Sequence, residues 1–158
     1  MSDEIDISED GGAWDVNALL RFAQTALNHT RAELDLPSAL ELSILACNDT
    51  RIAELNTEFR GKPVPTNVLS WPNADEPDLS KDPFLGDIAI AFETCQREAK
   101  EQRKSVEDHA QHLMLHAILH LLGYDHEEDT EAEEMESLET KLLAKMGIDD
   151  PYKDSENA

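Results

Sequence analysis

Three histidines, His116, His120 and His126, are spaced as the ligands of a single metal ion would be. His116 and His120 are four residues apart, and this is one helical turn, so their imidazoles point the same way. Gly123 can adopt the left-handed conformation that ends a helix, and the chain would then turn back to bring His126 to the same point. A catalytic zinc site needs three such ligands and one open position. We therefore predict one zinc ion per chain, held by these histidines.

The same spacing, H-x3-H-x5-H with a glycine three residues after the second histidine, occurs in the zinc peptidases that read H-E-x-x-H-x-x-G-x-x-H. Ala117 stands here in the place of the peptidase glutamate, which is the usual general base. A metallopeptidase-like hydrolase is therefore an alternative that lacks its base. A structural zinc site normally has four protein ligands, and no fourth cysteine or histidine follows nearby, which weakens the alternative of a purely structural metal.

A third alternative is an amphipathic helix that binds no metal. Four histidines beginning at His109 lie on one stripe of this helix and could border its buried face. That explanation does not account for Gly123 followed by His126. His112 also lies one turn from a predicted ligand, but His126 is more naturally reached from His120 across the glycine turn. We therefore expect His112 to support the metal ligands or to face the substrate.

The length and composition of the chain, 158 residues of which 40% are apolar, predict one domain with a single core. We expect residues 1–152 to form a metallohydrolase-type domain and residues 153–158 to be a disordered tail. No segment is long and apolar enough to span a membrane, and the acidic N-terminus does not resemble an export signal. Cys47 and Cys95 form no CxxC pair, so we expect both to be buried apolar residues in a reducing cytoplasm.

The net charge of −22 argues against broad, non-specific binding of nucleic acid, since a phosphate chain would be repelled by most of the surface. Much of the acid is local, and we expect the dense block at residues 127–139 to be a solvated face. The basic residues also cluster, at 51–62 and at 97–104. A polarised surface with one basic groove is compatible with this distribution.

Hydrophobic patterns predict helices over residues 14–31, 51–59, 93–103, 105–122 and 130–145, and strands over 40–45, 66–71 and 85–92. The second helix is expected to bury Ile52, Leu55 and Phe59. Helices and strands mixed in this order indicate an α+β fold, a single domain in which a small mixed β-sheet is covered by about five helices. The histidine-bearing helix is expected to lie beside the sheet.

Several blocks of the sequence resemble the YbeY family of rRNA-processing endoribonucleases. The blocks are Leu55-Asn56, residues 59–62 (FRGK), 65–70 (PTNVLS), 85–88 (LGDI), 116–126 and the acidic 132–136, and the resemblance covers most of the chain from about Ile44 to Tyr152. Ala117 stands where the family often has glycine, and Trp71 stands where phenylalanine is common. Neither difference removes a metal ligand or a charge.

The resemblance implies a metal-dependent endoribonuclease specific for single strands, which acts in rRNA maturation at the 3′ end of the small-subunit RNA and in ribosome quality control. It implies zinc bound by His116, His120 and His126, and a functional arginine, Arg60. It also implies single-stranded rRNA and the small ribosomal subunit as partners, with a ribosomal protein or an assembly GTPase as further candidates and no membrane. Beside the metallopeptidase-like hydrolase, a non-catalytic assembly factor that binds ribosomal protein and RNA, with a structural metal, remains an alternative.

Cleavage of a phosphodiester requires an activated nucleophile and stabilisation of charge on the phosphoryl oxygens. Zinc can lower the pKa of a bound water from 15.7 to about 7, and the planar fork of Arg60 can bind a phosphate through two hydrogen bonds. His116 and Arg60 are therefore the predicted catalytic residues. Arg60 is also a predicted substrate-binding residue, and Thr66, Asn67 and Ser70 are further candidates if their strand lies at the edge of the cleft.

The general base is not evident from the sequence. Asp125 could orient the neighbouring His126 or cap a turn, and Asp87 is expected to bond backbone amides rather than act in catalysis. The 2′-hydroxyl of RNA is itself an internal nucleophile, so both a water route and a 2′-hydroxyl route stay open.

Overall fold

Within residues 2–125 and 128–152, which the computed structural model describes, four strands form one mixed sheet. The strands are β1 (Glu4–Asp10), β2 (Glu41–Cys47), β3 (Val68–Pro72) and β4 (Phe84–Ala91), and their order across the sheet is β1-β2-β4-β3. β1 pairs with β2 and β2 with β4 in parallel, whereas β3 is antiparallel to β4. β3 is therefore at one edge of the sheet.

Five helices are described with this sheet, namely α1 (Val16–Leu34), α2 (Asp49–Arg60), α3 (Phe92–Glu101), α4 (Val106–Leu121) and α5 (Asp129–Lys145). The N-cap residues of α1, α2 and α4 are Asp15, Asn48 and Ser105, and their side chains each accept a hydrogen bond from a backbone amide of the first turn. Such caps satisfy amides that have no partner inside the helix. The predicted α+β fold and its mixed sheet are thereby confirmed.

The two faces of the sheet carry different cores, because side chains alternate along each strand. Ile88 and Ile90 of β4 belong to the main cluster, which includes buried residues of α1, α4 and α5. Ala89 and Ala91 face the other way, into a smaller cluster with Ile52 and Leu55 of α2. The histidine-bearing helix α4 and the helix α2 thus lie on opposite faces of the sheet.

Gly86 lets α4 and the edge strand approach β4 closely. Its φ is +142°, and a Cβ at this position would lie 2.2 Å from the carbonyl oxygen of Trp71 and 2.9 Å from Leu121 Cδ2. Beyond α4, Gly123 has a φ of +107°, as predicted for the residue at which the chain turns after the helix.

One strand was not predicted, and one expectation about burial was wrong. The acidic N-terminal segment was not expected to be a strand, yet it forms β1 and pairs along its length with β2. Phe59 was expected to be buried, yet 57% of it is exposed, because it lies in the last turn of α2. Ile52 and Leu55 are buried as predicted.

Two of the predictions fall on residues 126–127 and 153–158, which are outside the described part of the chain. These are the third metal ligand, His126, and the C-terminal tail.

Cys47 and Cys95 are buried as predicted, and burial raises the pKa of the Cys47 thiol to about 11 and that of Cys95 to about 12. Among the described residues, no helix combines the length and apolar character needed to cross a membrane.

Candidate active site

His116 and His120 lie one turn apart on α4, and each imidazole is held through its Nδ1 atom. His116 Nδ1 is hydrogen-bonded to Oε1 of Glu139 on α5, and His120 Nδ1 lies 2.8 Å from the Ser70 hydroxyl on β3. With Nδ1 committed to these partners, Nε2 is the atom through which each ring would bind a metal. Metal-binding histidines are usually oriented in this way, by a carboxylate or another oxygen on the second ring nitrogen. The donor set therefore fits a zinc ion.

Glu139 is the centre of a buried polar network. Its carboxylate is fully buried and accepts hydrogen bonds from His112 Nε2 at 3.1 Å, from His116 Nδ1 and from the Tyr152 hydroxyl. Burial alone would raise the pKa of Glu139, but the hydrogen bonds from His112 and His116 outweigh it and lower the pKa to about 2. Glu139 is therefore a fixed negative charge beneath the two histidine rings.

Reasoning from the sequence missed Glu139, because it was assigned to the solvated acidic block. Its side chain lies instead on the buried stripe of α5, together with Met135, Leu142 and Leu143. The spacing of Glu139, four residues after Met135 and three before Leu142, places it on the same helical face as these apolar residues, and this was the available signal. The prediction of a solvated face does hold for Glu133, Glu134 and the other exposed acids of α5. His112, expected to support the ligands or face substrate, contacts the carboxylate that holds His116.

Two of the predicted RNA-binding residues of the β3 region have partners within the protein. The Ser70 hydroxyl contacts His120, on the face of the sheet covered by α4. The Asn67 side chain donates to Glu98 Oε1 at 2.9 Å, and the same oxygen lies 2.8 Å from His109 Nε2. Thr66 is half-buried just before this point. Asn67 therefore connects the edge strand region with α3 and α4.

Arg60 is exposed at the end of α2, on the face of the sheet opposite α4. A short series of contacts connects it to the histidines. The ring of the adjacent Phe59 packs edge-on against that of Trp71 with centroids 5.2 Å apart, and Trp71 follows Ser70, the partner of His120. The residue before Arg60 thus contacts the edge strand that carries Ser70, whereas Arg60 is on the sheet face opposite the two histidines.

Other charged residues that the sequence singled out lie away from the histidines or are neutralised. Asp87 is exposed and directly opposite Trp71 in the β3–β4 register, so it shares the α2 face of the sheet. Arg51 pairs with Asp10 at 2.9 Å, and Arg97 pairs with Asp49 at 2.8 Å. Arg51 and Arg97 therefore serve the fold.

The described residues present two of the three predicted metal ligands. Within the described ranges, residues 2–125 and 128–152, no group of three histidine, cysteine, aspartate or glutamate side chains is placed to hold one metal ion. His126, the third predicted ligand, lies outside these ranges.

Comparison with known proteins identifies the family of the chain. The family described as endoribonuclease YbeY matches residues 4–147. The endoribonuclease YbeY of Jannaschia sp. (strain CCS1) is 51% identical over 161 residues, which cover 94% of this chain and 99% of that protein. The endoribonuclease YbeY of Ruegeria pomeroyi is 48% identical over 162 residues, which cover 94% of this chain and 97% of that protein.

A solved structure shares the fold. The solution structure of TM1509 from Thermotoga maritima matches with a TM-score of 0.63 at 24% identity, over 96% of this chain and 92% of that one. The relatives found by sequence are endoribonucleases, hydrolases that act on the phosphodiester bonds of RNA. The chain belongs to the endoribonuclease YbeY family. The predicted resemblance is confirmed, and with it the class of enzyme.

Proposed function

We propose that the protein is a zinc-dependent endoribonuclease, specific for single strands, that processes the 3′ end of small-subunit rRNA in the cytoplasm and takes part in ribosome quality control. Its partners in this proposal are single-stranded rRNA and the small ribosomal subunit, with a ribosomal protein or an assembly GTPase as candidates for further contacts. Family membership supports the reaction class. The hydrogen bonding of His116 and His120 through Nδ1 is the observation that carries the metal dependence.

His116, His120 and His126 would hold one zinc ion. When bound, zinc supplies Lewis-acid stabilisation of the negative charge that develops on the phosphoryl oxygens. The chain contributes the orientation of the ligands, since Glu139 fixes the ring of His116 and Ser70 fixes that of His120. Rings held in this way need no reorganisation when a metal arrives.

Arg60 would bind the phosphate of the substrate. A guanidinium presents paired donors that match two phosphate oxygens, and it keeps its charge at any physiological pH. In the described part of the chain, no carboxylate lies within ion-pair distance of Arg60, so no residue there neutralises its charge through an ion pair. The side chain is therefore suited to an anionic ligand.

The metallopeptidase alternative is disfavoured by the position of Ala117. The residue is 1% exposed and packs into the main core, so this helix position does not direct a side chain into the site. A general base of the peptidase kind has no place there.

Elemental analysis of untagged protein tests the metal, with the triple variant His116→Ala, His120→Ala, His126→Ala beside the wild type. About one zinc per chain, lost in the variant, is the expected result. Absence of zinc from both proteins, even after reconstitution, would remove the proposed chemistry.

Cleavage of a single-stranded RNA and of the same strand in a duplex tests the reaction. We expect only the single strand to be cut, and Arg60→Ala to reduce cutting while zinc is retained. Arg21→Ala is the matched control, because Arg21 is exposed on α1. A 2′,3′-cyclic phosphate on the product would identify the 2′-hydroxyl as the nucleophile. Equal cleavage by the wild type and the Arg60 variant would contradict the role of Arg60.

A further inference from the structure

An exposed patch of aromatic and basic side chains, here called the α2–β3 patch, lies beside the candidate site. It consists of the exposed Phe59, Arg60, Lys62 and Val64 and the half-buried Trp71. Phe59 is 57% exposed and Val64 is 53% exposed, and Leu20 on α1 is the remaining large apolar residue with high exposure among those described. Large exposed apolar groups that adjoin each other and carry charges at their border are typical of a binding surface.

The two aromatic rings of the patch are held in place by the fold. The Phe59 and Trp71 rings meet at an interplanar angle of 64° with centroids 5.2 Å apart. Trp71 also packs against the smaller core cluster that contains Ile52 and Leu55, so the tryptophan is anchored on its inner side. A ring that is already ordered loses little conformational entropy when a flat ligand packs on it.

The patch adjoins the histidines through the edge strand. Trp71 is the next residue after Ser70, and consecutive Cα atoms are about 3.8 Å apart, while the Ser70 hydroxyl lies 2.8 Å from His120 Nδ1. Because successive side chains of a strand point to opposite faces, Ser70 reaches the histidine side and Trp71 reaches the patch side. A chain that crosses the edge of the sheet at β3 would meet both.

Arg60 and Lys62 give the α2 end of the patch a positive charge that favours an anionic partner, while Asp87 lies opposite Trp71 at its other end. Among the described residues, neither Arg60 nor Lys62 has a carboxylate within ion-pair distance, although the whole chain has a net charge of −22. Unpaired cations on so acidic a protein form a local site for phosphate. Aromatic rings next to cations are the arrangement that binds unstacked bases and their backbone together.

We infer that the α2–β3 patch binds an unpaired nucleotide of single-stranded RNA next to the scissile phosphate. The base stacks on Phe59 and Trp71, and the flanking phosphates contact Arg60 and Lys62. This inference rests on the proposed function and gives a physical reason for single-strand specificity, because the bases of a duplex already stack on each other and cannot occupy the patch.

Binding of two oligonucleotides to the zinc-loaded protein tests the inference. One is a short 2′-O-methyl oligoadenylate, and the other is an abasic strand with the same number of phosphates. Phe59→Ala should weaken binding of the oligoadenylate by about 5- to 150-fold, the usual contribution of one stacked base, and leave the abasic strand unaffected. Phe59→Trp should restore binding. Leu20→Ala is the control, since it removes an exposed apolar residue of similar exposure from another face.

Tryptophan fluorescence gives an independent readout. The chain has two tryptophans, and Trp14 is engaged elsewhere, where its Nε1 donates to the Ile90 carbonyl. The oligoadenylate should quench the emission of the wild type, and the quenching should be absent in Trp71→Phe, in which Trp14 is the sole emitter. The abasic strand should quench neither protein.

The outcomes separate this inference from the proposed function. If the wild type cleaves single-stranded RNA but Phe59→Ala binds the oligoadenylate as tightly as the wild type, the patch is not the base subsite, and a protein partner is the better occupant. Quenching that persists in Trp71→Phe would overturn the inference in the same way. If the wild type neither binds nor cleaves single strands, the proposed function fails and the inference fails with it.

Discussion

At the scale of single residues, the most informative side chain is Glu139, a fully buried carboxylate that accepts three hydrogen bonds. A buried charge is costly unless its partners compensate for lost water. Here the partners include a predicted metal ligand, His116, and a residue of the C-terminal segment, Tyr152. The hydrogen bond that helps to compensate for the burial of Glu139 therefore also fixes the orientation of the His116 imidazole.

Replacing Glu139 by Gln should weaken zinc binding by about 10- to 100-fold, the usual effect of removing such a carboxylate. The amide keeps the shape of the side chain but lacks the charge and presents a donor to groups that themselves donate. Competition with a chromophoric chelator measures the affinity. Glu133→Gln is the matched control, because Glu133 is exposed on the same helix. Equal affinities in the two variants would contradict the role of Glu139.

At the scale of elements, β1 is attached to the domain by Asp3, which precedes it. Its carboxylate accepts hydrogen bonds from Arg31 at 2.5 Å, from Gln24 at 2.8 Å and from the Leu40 amide at 2.8 Å. Burial raises the pKa of Asp3, but these hydrogen bonds and the charge of Arg31 together lower it below 3.8. β1 is therefore connected to α1 and to the start of β2 by one acidic side chain.

Asp3→Asn should reduce the free energy of unfolding at pH 7 by about 1.5–3 kcal/mol, since hydrogen bonds to a charged group are lost. Because the folded-state pKa lies below the unfolded value, the contribution of Asp3 is present above pH 3.8 and is lost as the pH falls through the folded-state pKa. The difference between the two proteins should therefore shrink on acidification. Urea denaturation over a pH series measures it. Asp6→Asn, at an exposed position of β1, should show no such difference at any pH.

The contact of α4 with the edge of the sheet depends on Gly86. Gly86→Ala should destabilise the fold by roughly 2 kcal/mol or more beyond Gly147→Ala, because both residues have positive φ but nothing lies within 4 Å of the added methyl at Gly147. Urea denaturation of the two variants isolates the steric contribution. Equal losses of stability would show that the close approach of Trp71 and Leu121 is relieved without cost.

The sequence predicted the helices well because each carries a periodic apolar stripe and, for α1, α2 and α4, a capping residue at or near the predicted start. It did not predict β1, whose two isoleucines alternate with acids and which becomes a strand only by pairing with β2. Periodicity placed Phe59 on the buried face of α2 but could not show that the last turn of this helix leaves Phe59 exposed. Ion pairs across elements, such as Arg97 with Asp49, are likewise set by tertiary packing.

In the candidate site too, the local features could be predicted from the sequence, and those that depend on tertiary packing could not. The spacing of His116 and His120 along one helix is local, and the structure places both rings on one side of α4 with partners at Nδ1. Their partners, Glu139 and Ser70, are 23 and 50 residues away in sequence, so only the packing of α5 and β3 against α4 identifies them. Whether His126 completes the metal site stays a prediction.

At the scale of the whole molecule, the protein combines a strongly negative charge with a substrate that is itself a polyanion. Many of its cations are used within the fold, where ion pairs engage Arg31, Arg51, Lys81, Arg97, Lys141 and Lys145. Electrostatic attraction to RNA therefore has to come from a small number of side chains, with the rest of the surface repelling the strand. Stacking and the metal site would then supply the remaining affinity.

Binding of single-stranded RNA should accordingly depend only weakly on salt. Each phosphate neutralised on a single strand contributes about −0.7 to the slope of log K against log salt concentration, so contacts from Arg60 and Lys62 predict a slope of about −1.4. Arg60→Ala should reduce the slope to about −0.7, and Arg21→Ala should leave it unchanged. Titrations of the 2′-O-methyl oligoadenylate over a range of KCl concentrations measure the slope. Salt also screens the repulsion between the acidic protein and the RNA, and this makes the measured slope less steep. A slope several times steeper than about −1.4 would therefore mean that another basic surface binds the RNA.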